Sequence, residues 1–347
     1  MMSVGLSYGE DGSVKMAESA SLVHGNLAVL QGLEEGGLAY GLVSRNVAAI
    51  TYASSTGAIA SESVGFPGSQ EDVSSRTLTG MEWCRLKSSR VVLVLTSYRG
   101  FRISNWNGQE VAYENIFETG RGAYEQRFAR GIATVDNVVC VGTSEGNITV
   151  LYVPPTGCDV VFSRHLQGHS APITALCPCT LNQVASSDES GMIIVWSNPV
   201  ISAESRFVIN EPGSFPCQCL CHWRGILVAG FSSGTIRLYN TETGRKTAEI
   251  AAHGRSVTAL DTAQDSGLLL SVSEDCTASV WRLTEETSPK VTHLCRLSVG
   301  DHLLCGGRFC DPLGDTLALA AFDSRAVLTY RRQLQLPHRQ PPDHPQT

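Results

Sequence analysis

The sequence predicts an all-β fold, a closed ring of small antiparallel sheets, and three observations carry that prediction. Short apolar strands recur at a nearly constant interval: Gly146-Asn-Ile-Thr-Val-Leu-Tyr, Gly191-Met-Ile-Ile-Val-Trp, Gly234-Thr-Ile-Arg-Leu-Tyr and Cys276-Thr-Ala-Ser-Val-Trp begin 45, 43 and 42 residues apart. Gly100-Phe-Arg-Ile-Ser-Asn-Trp precedes the series by 46 residues and Arg325-Ala-Val-Leu-Thr-Tyr follows it by 49. A second apolar run stands before these strands, as in Val91-Val-Leu-Val-Leu, Val138-Val-Cys-Val, Ile226-Leu-Val-Ala, Leu268-Leu-Leu-Ser-Val and Thr316-Leu-Ala-Leu-Ala. Upstream again lies an alternating segment such as Ile173-Thr-Ala-Leu or Val257-Thr-Ala-Leu, with Gly, Asp and Ser in between, the pattern of short strands joined by turns. Finally, no stretch sustains a 3.6-residue apolar period over a helical length. Three to four strands in about 40–45 residues is the size of one propeller blade.

Taken in order, the repeats predict a single seven-bladed β-propeller with blades near 22–60, 78–118, 127–162, 171–209, 216–250, 256–298 and 303–332. The stretch 53–77 is poor in apolar residues and reads as a loop. The last blade stops after its third strand, because Arg331-Arg332 runs into Gln-Leu-Gln-Leu-Pro-His-Arg-Gln-Pro-Pro-Asp-His-Pro, which cannot continue a sheet. Its missing outer strand is supplied by Ser13-Val-Lys-Met-Ala-Glu, a closure that removes an open sheet edge. The expected organisation is a disordered N-terminus at 1–12, a propeller at 13–332 and a disordered Pro/Gln-rich tail at 333–347.

Composition limits the function. A chain of 347 residues that is 42% hydrophobic and 17% charged can bury a large core. The N-terminus lacks the basic start and apolar stretch of a secretory signal, and the longest strongly apolar run, Val91 to Leu95, is far shorter than the roughly 20 residues that span a bilayer. The expected location is cytoplasmic, with vesicle association as a secondary expectation. A net charge of −7 and no basic cluster denser than Arg331-Arg332 argue against nucleic acid and anionic membranes as partners. The 12 cysteines read as reduced thiols in a chain of this size.

Gly168-His169 stands 27 residues before Trp196, and Ala252-His253 stands 28 before Trp281. This spacing resembles the Gly-His to Trp-Asp interval of WD-repeat β-propellers, and the resemblance runs from about residue 15 to residue 332. In that family a loop His, a Ser ending the second strand, a turn Asp and a Trp on the third strand form a buried hydrogen-bonded chain. The resemblance implies that His253, Ser273, Asp275 and Trp281 are such a tetrad. An indole N–H only donates, a carboxylate only accepts, and Ser and neutral His do both, so the chain satisfies every member. In the blade of Trp196, Ser190 stands where the turn aspartate belongs and Asp188 where the serine belongs, so that brace reads as altered.

Ser, His and Asp in one unit also suit a nucleophile, base and orienter. No Gly-x-Ser-x-Gly elbow surrounds Ser273, however, and the tryptophan has no catalytic use. The chain is therefore expected not to be an enzyme, with no cofactor and no catalytic residue. Cys217-Gln-Cys219-Leu-Cys221-His222 and Cys177-Pro-Cys179 hold zinc-ligand types. Alternation places Cys217, Cys219 and Cys221 on one strand face about 7 Å apart in succession, too far to share one ion, so no metal site is assigned.

The WD-repeat resemblance implies a narrow face formed by the loops into the innermost strands and the turns joining second to third strands. On it fall Arg127, Phe128, Ser170, Phe215 and Arg255 from the first set, and Glu189 and Glu274, with Tyr98, Glu145 and Ser232, from the second. The expected function is a non-enzymatic scaffold that binds a protein or peptide there. The alternatives are a metal-binding or enzymatic propeller with a central-channel site, marked by converging carboxylates, His or Cys, and a subunit of a larger assembly such as a ubiquitin-ligase receptor or a vesicle or ciliary complex.

Overall fold

The computed structural model describes residues 6–32, 37–54, 59–66, 76–117, 127–157, 159–179, 182–201, 204–211, 213–285 and 290–334. They form seven four-stranded antiparallel sheets, the seven blades of a propeller. The inner strands are Ala28–Leu30, Leu78–Arg85, Ala129–Val135, Ile173–Pro178, Cys217–Trp223, Val257–Ala263 and Leu304–Phe309. Four second strands, such as Leu268–Ser273, are buried along their whole length, and the other three at every position but the first. That follows from burial on both faces between neighbouring blades, and it explains why these runs read as continuously apolar.

Blade 7 closes as expected: its sheet runs inward from Leu6–Lys15 through Ala326–Leu334 and Thr316–Ala321 to Leu304–Phe309. Val14 pairs with Val327, and the register shifts between Glu10 and Gly12. The closing strand begins at Leu6, inside the stretch expected to be disordered, because alternation from Leu6 onward lets Tyr8 bury its ring and hydrogen-bond the Gly314 carbonyl. The third strand of the blade runs on to Leu334, two residues into the stretch expected to be a disordered tail, because Gln333 and Leu334 pair with Ser7 and Leu6; residues 1–5 and 335–347 lie outside the described residues. The first blade also extends further than expected. Its fourth strand is Ile59–Gly65, within the stretch read as a loop, where Val64 buries and the alternate positions are polar. The third blade likewise reaches Gln167, in an outer strand whose exposed face weakened the apolar signal.

Inner strands carry a shared irregularity. The register shifts near the start of six of them, around Thr79, Arg130, Thr174, Gln218, Thr258 and Cys305. A bulge of this kind re-aims the extra side chain. In blades 2, 4 and 6 that residue is a threonine, and its hydroxyl donates to the next blade: Thr79 to the Ala129 carbonyl, Thr174 to the Cys217 carbonyl, and Thr258 to the Leu304 carbonyl at 2.9 Å. Between blades 7 and 1, the Asn26 N–H donates to the Cys305 carbonyl at 3.0 Å and Arg308 Nε to the Leu27 carbonyl at 3.1 Å.

The glycines that open the repeated strands have a steric reason. Gly146 and Gly234 adopt φ of +78° and +84°, and a Cβ there would stand 2.5 and 2.2 Å from the carbonyl oxygens of His169 and His253 in the next blade's entering loop. Only glycine suits both the backbone angle and that approach.

Candidate functional site

Two braces anchor loops of the narrow face. In blade 6, Trp281 Nε1 donates to Ser271 Oγ at 2.9 Å, Ser271 Oγ lies 2.8 Å from His253 Nε2, and His253 Nδ1 lies 3.1 Å from Asp275 Oδ2. The indole can only donate, so the serine hydroxyl passes its proton to His253 and the ring's other N–H to the carboxylate. The bridging serine is Ser271, not Ser273. Trp281 pairs across the ladder with Leu269, which leaves Ser271 on the same face one alternation away and Ser273 a further alternation beyond reach. Ser273 instead donates to the Arg255 carbonyl at 3.2 Å and accepts the Asp275 N–H at 3.1 Å, fixing the turn.

The same correction restores the blade 4 brace. Trp196 Nε1 donates to Ser186 Oγ at 2.8 Å, Ser186 meets His169 Nε2 at 2.7 Å, and His169 Nδ1 meets Asp188 Oδ2 at 2.7 Å. Asp188 also accepts the Ser190 hydroxyl at 2.6 Å. The two blades interchange serine and aspartate, Asp188-x-Ser190 against Ser273-x-Asp275, yet both deliver a carboxylate to the His. Burial pushes the Asp188 carboxyl up, but the hydrogen bonds from His169 and Ser190 hold it below its usual range. Burial lowers the His253 pKa despite Asp275 beside it, a direction that favours the neutral imidazole of the relay. Ser271 and Ser186 are 0% exposed, so neither hydroxyl has a face open to a substrate.

Loss of the bridging hydroxyl leaves an indole N–H and a ring nitrogen without partners. Ser271→Ala is expected to destabilise by about 1–3 kcal/mol and Ser273→Ala by about 1 kcal/mol. Denaturant melts of the two variants check this, and the reverse order of effects contradicts the assignment of Ser271.

The residues expected on the narrow face all lie at the corresponding strand ends. Arg127 Nε contacts Glu145 at 2.9 Å, and Phe128 meets Tyr98 edge-on with centroids 5.5 Å apart. Glu189 is 3.5 Å from Arg130, and Glu274 stands 4.0 Å from both Arg255 and His24. Ser170 is exposed, and Phe215 is 56% exposed. Leu22, Tyr98 and Phe322 add further exposed apolar surface on the same face.

Below the mouth, one ladder level of the inner strands forms a ring that sequence reasoning missed. The fifth residues of six strands, Glu82, Ala133, Cys177, Cys221, Asp261 and Arg308, all line a 550 Å³ channel. Arg308 binds Glu82 and lies 3.7 Å from Asp261, so one guanidinium ties blades 2, 6 and 7 together. Burial raises both carboxyl pKa values against the pull of Arg308. A charged residue within an otherwise apolar inner strand was the available signal. Carboxylates and thiols thus converge in the channel, but the carboxylates converge on arginine.

Cysteine placement also differs from expectation. The bulge at Gln218 turns Cys217 against blade 4 and Cys219 and Cys221 against blade 6, so the three do not share a face. A hydrogen bond with Cys179 and burial push the Cys177 thiol well up, and burial does the same for Cys219 and Cys221, which disfavours the thiolate that a metal or an electrophile needs. Among the described residues, no group of three or more His, Cys, Asp or Glu is placed to hold a metal ion.

Comparison with known proteins agrees with this architecture. The family model WDR54 matches residues 8–332. The chain is similar to mouse WD repeat-containing protein 54, 33% identical over 330 residues that cover 92% of this chain and 97% of the mouse protein. It is 34% identical to human WD repeat-containing protein 54 over 325 residues, 90% and 95% of the two chains. Among solved structures, a chain of a mitotic checkpoint complex superposes with TM-score 0.72 at 15% identity, covering 93% of this chain and 91% of that one. The RRP9 WD40 repeats superpose with TM-score 0.67 at 14% identity, covering 92% and 100%. At these identities the structural likeness concerns the fold.

Proposed function

This chain belongs to the WDR54 family of WD-repeat propellers, and from that premise we propose that it is a non-enzymatic scaffold that captures a protein or peptide on its narrow face. One observation supports the reading most: Leu22, Tyr98, Phe215 and Phe322 are exposed in the loops that enter inner strands or follow second strands in four different blades, the same class of loops that carries Arg127 and Arg255. Aromatic and arginine side chains dominate interface energetics. Two of these loops have a close support beneath them: the braced His253 holds the loop of Arg255, and Gly191 packs against the Phe215 carbonyl. Such pre-organisation lowers the entropy lost on binding. On this reading the chain works in the cytoplasm.

Arg255→Glu and Phe215→Ala are expected to weaken partner capture while shifting stability by only about 0.5 kcal/mol, the usual scale for surface changes. Affinity capture from cell extract by wild type and both variants, at equal expression and melting temperature, is the test. Identical sets of captured proteins in all three would place recognition away from this face.

A further inference from the structure

We propose that a cavity between blades 1 and 2, on the face opposite the narrow one, binds a small anion that carries a flat apolar ring. The cavity holds 760 Å³, a size usual for ligand pockets, and opens where the inner and third strands of the two blades end. Its lining includes Leu30 and Tyr52 of blade 1 and Arg85, Arg90, Val91 and Trp106 of blade 2. Residues 33–36, between Gly32 and Gly37 of the lining, lie outside the described residues.

Rings, charge and one unpartnered hydroxyl together specify the ligand. Trp106 meets Tyr52 edge-on with centroids 5.5 Å apart and stays 39% exposed, which leaves indole surface for a further ring to cover. Its backbone is held, because Trp83 Nε1 donates to the Trp106 carbonyl at 2.8 Å. Among the described residues, the lining carries two guanidiniums and no carboxylate. Arg85 Nη2 donates to the Gln31 carbonyl at 2.7 Å, and Arg90 Nη1 to the carbonyls of Pro154 and Gly157 at 2.9 and 2.7 Å. Those neutral acceptors fix both side chains without cancelling their charge, and the other Nη of each is left for an anion.

The Tyr52 hydroxyl is buried without a hydrogen-bond partner. Burial and Glu62 push its pKa up to about 12, so it stays protonated and able to donate. Glu62 itself is not part of the lining, and its carboxylate accepts from Gln109 Nε2 at 3.2 Å. An oxygen acceptor on the ligand supplies the partner that Tyr52 lacks. A neutral apolar ligand would leave the hydroxyl and both charges unmet, and a cation would meet two guanidiniums.

The test titrates AMP and indole-3-acetate, two sources of this chemistry, against the full chain by calorimetry, beside adenosine, indole and inorganic phosphate. At least one ring-bearing anion is expected to bind with Kd below about 1 mM, and its uncharged and ring-free counterparts about tenfold or more weakly. Binding of AMP alone assigns a nucleotide to the cavity, and binding of indole-3-acetate alone an aromatic carboxylate. Arg85→Gln and Trp106→Ala, both changes of exposed side chains, are each expected to weaken binding about tenfold with melting unchanged. If Trp106→Ala does not fold, Arg85→Gln carries the comparison. Binding of neither anion, equal affinity for adenosine or indole, or unchanged affinity in Arg85→Gln would overturn the inference. Arg255→Glu and Phe215→Ala are expected to leave this binding intact, which separates the cavity from narrow-face recognition; a loss in either would place the anion elsewhere.

Discussion

Deletion of residues 1–20 is expected to abolish soluble folded protein, whereas deletion of residues 335–347 leaves melting nearly unchanged. The N-terminal strand Leu6–Lys15 is the outer strand of blade 7, with nine residues in register against Ala326–Leu334. Its loss opens a sheet edge and strips the burial of Tyr8, Met16 and Ala20. At about 0.5–1.5 kcal/mol for each backbone hydrogen bond, the loss is of the order of the roughly 5–15 kcal/mol of net stability that a whole domain has. It also releases the ring, because this strand joins the first segment of the chain to the last blade. Soluble yield and thermal melting of the two truncations measure the effect. Greater damage from the C-terminal deletion would refute the closure.

Arg308→Leu is expected to cost about 3 kcal/mol, the lower end of the range for a broken buried ion pair. Removal of the guanidinium leaves Glu82 and Asp261 facing one another across a channel that already raises their pKa values. It also frees the Leu27 carbonyl of blade 1. The side chains of Arg308, Glu82 and Asp261 keep 30%, 29% and 19% of their surface open, so channel water screens part of the cost. The triple variant Arg308→Leu, Glu82→Gln, Asp261→Asn removes every charge together and is expected to regain most of the loss, which denaturant melts will show. A triple variant no more stable than Arg308→Leu would mean that packing, rather than the uncompensated carboxylates, sets the effect.

The blade count, the strand pairs and the closing strand were legible because each blade repeats a local apolar pattern at a fixed interval, and such patterns are properties of sequence spacing. The two His–Trp pairs were legible for the same reason. The serine between them was not: Ser271 and Ser273 lie on one strand face, and only the ladder pairing of Leu269 with Trp281 decides which one the indole reaches. In blade 4 that pairing turns an apparently altered motif into an intact brace.

By itself, the sequence determined a closed seven-bladed ring and its N-terminal fastening. Tertiary structure alone decided what meets inside it. The channel ring draws Glu82, Cys177, Cys221, Asp261 and Arg308 from five inner strands, spread over more than two hundred residues, and no local spacing relates them. The inner-strand bulges likewise decide whether a side chain latches the next blade, as Thr258 does, or faces the channel unpartnered, as Gln218 Oε1 does. The physical reason is that blade periodicity specifies which strand face is apolar, while a one-residue bulge and the closure of the ring set which polar atoms come within hydrogen-bonding distance.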